Sequence, residues 1–141
     1  VWLNQRGPLF VNSVRDENKK VIIEMVHNDY LEQVQKQGIS VHHANIGQDH
    51  LTRAFDQGAI PIILISTYQL DRRKVPHWVV ISGFDDHFVY VNDPYVDSDK
   101  GETELDSINM PIANETFHHI ARYGRRALRA IVLISRAIPH E

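Results

Sequence analysis

The sequence contains no cysteine. This absence excludes disulfide bonds and thiolate metal sites within the chain, and it excludes a cysteine nucleophile here as well. No apolar run is long enough to span a bilayer, and the first residues lack a signal-peptide pattern. The formal net charge of −3 over 141 residues lacks the positive excess typical of nucleic-acid-binding proteins. We therefore predict one compact cytoplasmic domain with no membrane segment and no nucleic-acid partner.

Local clusters of similar residues have ordinary interpretations. The basic stretches DRRK (residues 71–74) and RYGRRALR (residues 122–129) are typical of solvated surface. The histidine pairs at 42–43 and 118–119 lack the i, i+4 spacing that brings two ligands to one metal. The acidic loop at 97–104 lacks the residue order of an EF-hand. The sequence therefore predicts no metal site and no cofactor.

Hydrophobic periodicity predicts a chain of strands and helices. A long helix is expected to begin near a capping Ser13 and to bury one face through apolar residues spaced i, i+3, i+4. A later helix is expected to be capped by Asn114 and to end at Gly124. Because hairpin-linked strands alternate with helices, the order predicts an α+β fold with a mainly antiparallel sheet flanked by helices. Strands are predicted at 1–5, 39–43, 60–67 and 129–135 and in a hairpin within 75–95, helices at 13–37, 47–58 and 114–124, and loops at 68–76 and 95–107.

The predicted hairpin, VPHWVVISGFDDHFVYVNDPY, begins with a histidine and ends with an Asp-Pro pair. A three-residue loop would place His77 opposite Asp93 on one face, with their Cβ atoms within about 5.5 Å. A two-residue loop at Asp85-Asp86 would place them on opposite faces, and strand parity alone does not decide. The first register is favoured because it gathers one aliphatic patch of Val79, Ile81, Val89 and Val91.

Both faces of the hairpin carry apolar residues, so we expect both to be covered. Trp78 and Tyr90 are expected to pack beneath a helix.

A carboxylate opposite a histidine fixes the tautomer of the imidazole and stabilises its protonated form. Such a pair is half of a nucleophilic triad, which also needs a serine or cysteine near the other ring nitrogen. The alternative is a plain cross-strand ion pair between His77 and Asp93. Ser66 and Ser82 are poor nucleophile candidates, because neither lies in a G-x-S-x-G motif and Ser82 has the opposite parity to His77.

At this point the sequence resembles a known family. The segments PIILIST and HWVVISGFDDHFVYVNDP resemble the C-terminal half of the C39-type cysteine peptidases. With VWLNQRGPLFVNSVR and ARYGRRALRA, the chain is similar to a stand-alone bacterial C39-like branch. The resemblance implies a papain-like fold, with His77 as general base and Asp93 as the residue that orients it. It also implies a nucleophilic cysteine on an upstream helix, after an oxyanion-hole glutamine, and this sequence contains neither that helix nor any cysteine.

The resemblance therefore leads us to interpret residues 1–141 as a single C39-peptidase-like domain truncated at its N-terminus. The chain would be the C-terminal part of a cysteine peptidase acting on a peptide or protein substrate, and inactive alone. The alternatives are a non-catalytic peptide- or protein-binding module with the same fold, or a transglutaminase-like acyl-transfer enzyme. A missing cysteine helix would leave a sheet face uncovered, which predicts a homo-oligomer formed through that face.

Overall fold

The computed structural model describes residues 1–8, 11–68 and 75–136. Its elements, in chain order, are β1 Trp2–Leu3, α1 Glu17–Lys36, β2 His42–His43, α2 Gln48–Asp56, β3 Ile60–Ser66, β4 Pro76–Phe84, β5 Phe88–Asn92, β6 Met110–Ala113, α3 Asn114–Ile120 and β7 Ala130–Ile134. The predicted α+β class is confirmed, although the prediction missed β6. Most of the predicted loop at 68–76, with its DRRK stretch, lies outside the described residues.

The described strands form one seven-stranded sheet in the order β2-β1-β7-β3-β4-β5-β6. Only β1 and β2 pair in parallel, while every other neighbouring pair in this sheet is antiparallel. The sheet is therefore mixed but mainly antiparallel, as the sequence predicts. Strands β3 and β4 are antiparallel neighbours in the middle of the sheet. The start of β4 therefore lies beside the end of β3, where Ile65 pairs with His77.

One face of the sheet, here called the core face, forms the hydrophobic core. The helices cover it through Leu51 on α2 and through Phe117 and Ile120 on α3, all of which are buried. The aliphatic patch predicted for the hairpin lies here, which confirms that grouping. The buried strand residues of the core face are Ile63, Ile65, Val79, Ile81, Val89, Val91, Ile112 and Ile131.

The opposite face of the sheet, here called the outer face, is largely open. Trp78 is 41% exposed and Phe88 is 38% exposed, and the side chains at the far ends of β3 and β7 are also exposed. The turn after α3 covers only a small area, where Tyr123 packs on Leu64. The prediction that both faces of the hairpin are covered is therefore wrong. Tyr90 does not lie beneath a helix either, because its hydroxyl donates a 2.5 Å hydrogen bond to the exposed Asp85.

Helix α1 differs from its prediction in both its start and its buried side. Asp16 caps it by accepting from the backbone N–H groups of Asn18 and Lys19, while Ser13 lies in a preceding 3-10 turn. No residue of α1 is buried, and Ile22 and Met25 are more than half exposed. The apolar residues are distributed around the helix, so periodicity alone could not choose the inward side. The half-buried stripe consists of Lys20, Ile23, His27, Leu31 and Val34.

The segment from α3 to β7 corrects two further predictions. Asn114 is the first residue of α3 rather than its cap, and its side-chain amide donates to the carbonyl of Asp86 in the hairpin loop. The helix ends at Ile120, and Gly124 instead occupies a left-handed position in the following turn. Arg129, expected on solvated surface, is only 7% exposed.

Candidate functional site

The candidate site is built by the hairpin of β4 and β5, whose register differs from the predicted one. Ile81 pairs with Val91, where the favoured register paired it with Val89. A β-bulge between Ile81 and Gly83 then shifts the register by one residue toward the hairpin loop. Asp85 stabilises that loop by accepting from the backbone N–H groups of His87 and Phe88. The predicted register already fails at the loop, where Phe84 pairs with Val89, and the bulge then adds one residue to β4.

The predicted pairing of His77 directly opposite Asp93 is therefore wrong, although the prediction that both share one face is confirmed. Val80 pairs with Asn92, so the next position along, Asp93, lies beside Val79. His77 is the diagonal neighbour of Asp93, two residues farther along β4. Side chains at diagonal positions on one face are still within reach when one of them is long or aromatic.

The two side chains are in direct contact. His77 Nε2 lies 2.7 Å from Asp93 Oδ1, and the side chains are 20% and 19% exposed. Asp93 Oδ1 also accepts from the backbone N–H of Tyr95 at 2.8 Å, and the Asp93 N–H donates to the carbonyl of Ser107 at 2.8 Å. The carboxylate is thus fixed by its own backbone and by the chain after it. Sequence reasoning missed Tyr95, although an aspartate that accepts from the N–H two residues later is a common turn signal.

This arrangement assigns different tasks to the two ring nitrogens. With the carboxylate accepting from Nε2–H, the other nitrogen, Nδ1, carries the lone pair and is the basic position. Neither candidate serine contacts His77 within the described part of the chain: Ser66 accepts from the Tyr68 N–H at 3.4 Å, and the buried Ser82 hydroxyl lies at the bulge without a partner. The site therefore holds an imidazole with a free lone pair on Nδ1 and a carboxylate that fixes its ring.

Two partly open recesses near the sheet, in the described part of the chain, do not include this pair. A cavity of about 200 Å³ lies between α2, β1 and β7, and is lined by Trp2, Leu51 and Leu133 among others. Another, of about 490 Å³, lies between α1 and β2.

Across the residues that the structure describes, no group of three or more His, Asp or Glu side chains could hold a metal ion. In that same part of the chain, no helix has the length and apolar character needed to cross a membrane.

The fold and this histidine–aspartate contact are consistent with the papain-like class of α+β proteins. The chain belongs to the family described as "Peptidase_C39 like family", whose profile matches residues 1–135. The resemblance found in the sequence is thereby confirmed, and it suggests a relationship to peptidases. No curated protein and no solved structure matches the chain. The catalytic roles of His77 and Asp93, and the single-domain organisation of residues 1–141, stay predictions.

Proposed function

We propose that this chain is the base-carrying part of a cysteine peptidase, with His77 as general base and Asp93 as the residue that orients it. The observation that carries the proposal is the 2.7 Å contact between these side chains in a chain of the C39-like family. An exposed histidine–aspartate ion pair contributes only a fraction of a kcal/mol. The partial burial of both groups and the additional bond from Tyr95 favour a fixed orientation over such a pair.

The proposed reaction follows from the lone pair on His77 Nδ1. The thiol of a cysteine outside this chain transfers its proton to Nδ1, and the thiolate attacks an amide carbonyl of the substrate. As the tetrahedral intermediate collapses, the imidazolium gives that proton to the leaving amine, and a thioester remains. Water, deprotonated by the same nitrogen, then releases the carboxylic acid and regenerates the thiol. Asp93 keeps Nε2–H in place and stabilises the imidazolium in both halves.

The position of the dyad restricts where that thiol approaches. His77 and Asp93 both project from the core face, at the end of the sheet where β4 begins. A cysteine-bearing helix seated on the open outer face would lie on the wrong side of the sheet. The nucleophile therefore approaches from the core side or from the end of the sheet. The absence of a cysteine-bearing helix does not explain why the outer face is open.

The test uses the full gene product in which this chain occurs, treated with iodoacetamide as a thiol-directed reagent. We expect rapid alkylation of one cysteine near neutral pH, slowed strongly by His77→Ala. The matched control is His87→Ala, because His87 is an exposed histidine of the same hairpin. Slow labelling of every cysteine, or equal rates in the two variants, would contradict the proposal.

The absence of cysteine in the chain keeps a non-catalytic peptide- or protein-binding module as the second candidate. It predicts that the gene product binds peptides but has no fast-reacting cysteine. An acyl-transfer enzyme would show that cysteine yet form a new amide when an amine is supplied, so product analysis separates it from a peptidase. The cytoplasmic location stays a prediction. Self-association through the outer face also stays a prediction.

A further inference from the structure

The turn before β7 contains a buried cation with no carboxylate partner. The guanidinium of Arg129 donates to the carbonyl of Ile46 at 2.5 Å, and its Nε has no partner. Its backbone is fixed by Asn4, whose side-chain oxygen accepts from the Arg129 N–H at 2.8 Å. Among the described residues, no Asp or Glu forms an ion pair with Arg129. Burying a charge without a counter-charge is costly, which makes the unpaired guanidinium of Arg129 informative.

Two further basic side chains, Arg122 and His118, lie in the segment that leads from α3 to Arg129. The Arg122 guanidinium donates to Nε2 of His118 at 2.9 Å, and His118 lies four residues before Arg122 in the chain. Burial, followed by the charges of Arg122, Arg129 and His119, lowers the pKa of His118. Burial and the charge of Arg122 likewise lower the pKa of Arg129. Among the described residues, no acidic side chain forms an ion pair with Arg122 or Arg129, so no such pair offsets the positive charges of this segment.

The start of α2 adds backbone donors to the same region. Ile46, which holds the Arg129 guanidinium, directly precedes Gly47, the N-cap of the nine-residue α2. No side chain caps this helix, and Gln48 in its first turn bonds to Asn114 on α3 at 3.2 Å. A helix N-terminus presents free N–H groups and a partial positive charge to anions. Asp49, in the same turn, forms no ion pair with the arginines in the described part of the chain.

We propose that Arg129, Arg122 and His118 form a binding site for a single oxyanion, a carboxylate or phosphate group. The anion would receive charge-assisted hydrogen bonds from the guanidinium groups. His118, neutral while it accepts from Arg122, would gain a proton and become a further donor when the anion is bound. The side chains of His118 and Arg122 are exposed and therefore open to an anion from solvent, while Arg129 is buried.

The sheet register connects this site to the dyad. Ile63 pairs with Ile131 and Ile65 pairs with His77, so Arg129 lies level with Ile65 and His77 at the same end of the core face. Two strand spacings, about 10 Å, separate the Cα atoms of Arg129 and His77. A peptide covers this distance with about three residues. The geometry favours a carboxylate of the peptide substrate as the bound anion, and this identification rests on the proposed function.

The test measures binding of three probes to the protein: inorganic phosphate, N-acetyl-dialanine with a free carboxylate, and its amide. We expect saturable chemical-shift changes in the His118 ring with phosphate or the free acid, and none with the amide. Arg122→Ala should weaken the affinity about tenfold, which corresponds to ~1.4 kcal/mol. The matched control is Arg125→Ala, an exposed arginine of the same turn.

The outcomes separate the sources of the anion. Binding of the free acid alone assigns the site to carboxylates, and binding of phosphate alone assigns it to phosphate; either supports the site. No saturable change with either probe, or equal affinities in the Arg122 and Arg125 variants, overturns it. Both variants change exposed side chains, so the result does not depend on whether an Arg129 variant folds. Thiol alkylation tests the dyad separately, so failure of one proposal is distinguishable from failure of the other.

Discussion

His77 and Asp93 contact each other diagonally across the hairpin, with Nε2 and Oδ1 2.7 Å apart, rather than from directly opposed positions. The diagonal placement lets the imidazole reach along the strand to a carboxylate that its own chain already holds through Tyr95. This is the arrangement an orienting group requires, because the carboxylate keeps its position whether or not the histidine is protonated.

The first prediction concerns that orientation in the full gene product. Asp93→Asn should lower the rate of thiol alkylation and the kcat/KM for peptide hydrolysis, because an amide does not stabilise the imidazolium as a carboxylate does. His77→Ala should lower kcat/KM by more, about 10²–10⁴-fold, the range that a general base contributes. Steady-state kinetics measures both. A rate unchanged by Asp93→Asn would show that the carboxylate only forms an ion pair.

The second prediction concerns pH. Because burial and the nearby Arg122 and Arg129 lower the pKa of His118, the unfolded chain binds a proton at this residue more readily than the folded one. The free energy of unfolding should therefore fall as the pH decreases through about 6.5, the unfolded pKa, toward the lower folded value. Urea unfolding at a series of pH values measures this. His118→Gln should flatten the dependence, whereas His87→Gln should leave it in place.

The third prediction compares two glycines. Gly58 has φ +86° after α2, a left-handed position, so Gly58→Ala should destabilise the fold by about 1 kcal/mol. At Gly83 in the bulge, an added Cβ would meet the Tyr90 ring at 3.6 Å, an ordinary contact, and no left-handed φ is required. Gly83→Ala should therefore change stability by less than about 0.5 kcal/mol. Denaturant midpoints measure both variants, and a larger loss at Gly83 would contradict the bulge geometry.

The fourth prediction separates the core from α1. Phe117 is 1% exposed beneath the core face, so Phe117→Ala should cost about 3–5 kcal/mol through lost burial and a cavity. Val21 on α1 is 55% exposed, and Val21→Ala should cost less than about 0.5 kcal/mol. Chemical denaturation measures the two. A large loss at Val21 would indicate that the exposed side of α1 is covered in solution.

The fifth prediction concerns the outer face. Trp78 and Phe88 are exposed on the outer face of neighbouring strands, near opposite ends of the hairpin, and the partly exposed Val80 and Tyr90 lie between them. Exposed apolar surface of this kind favours association with a second copy. We expect a dimer or larger assembly by light scattering at high protein concentration. The double variant Trp78→Ser, Phe88→Ser should shift it toward monomer. A monomer for the unmodified protein at high concentration would show that this face does not self-associate.

Strand alternation and β-branched composition were enough to predict the α+β class and the aliphatic patch of the hairpin. The same reasoning placed His77 and Asp93 on one face but missed their register by two residues, because strand parity fixes neither the pairing at the loop, Phe84 with Val89, nor the one-residue bulge between Ile81 and Gly83. The burial of Arg129 was not predictable from its basic neighbourhood. Its partner carbonyl, Ile46, is 83 residues away along the chain, and only the folded sheet brings them together.

The short sequence separation between the dyad residues has a consequence for how the site assembles. His77 and Asp93 are 16 residues apart in one hairpin, so their contact needs only local loop closure, a microsecond event in typical chains. The two side chains therefore form one local unit, whose contact depends only on residues of this hairpin. Under the proposed function, gain or loss of the segment that carries the thiol would leave this pair unchanged, so a binding module and an enzyme of this family would differ without any change in the hairpin.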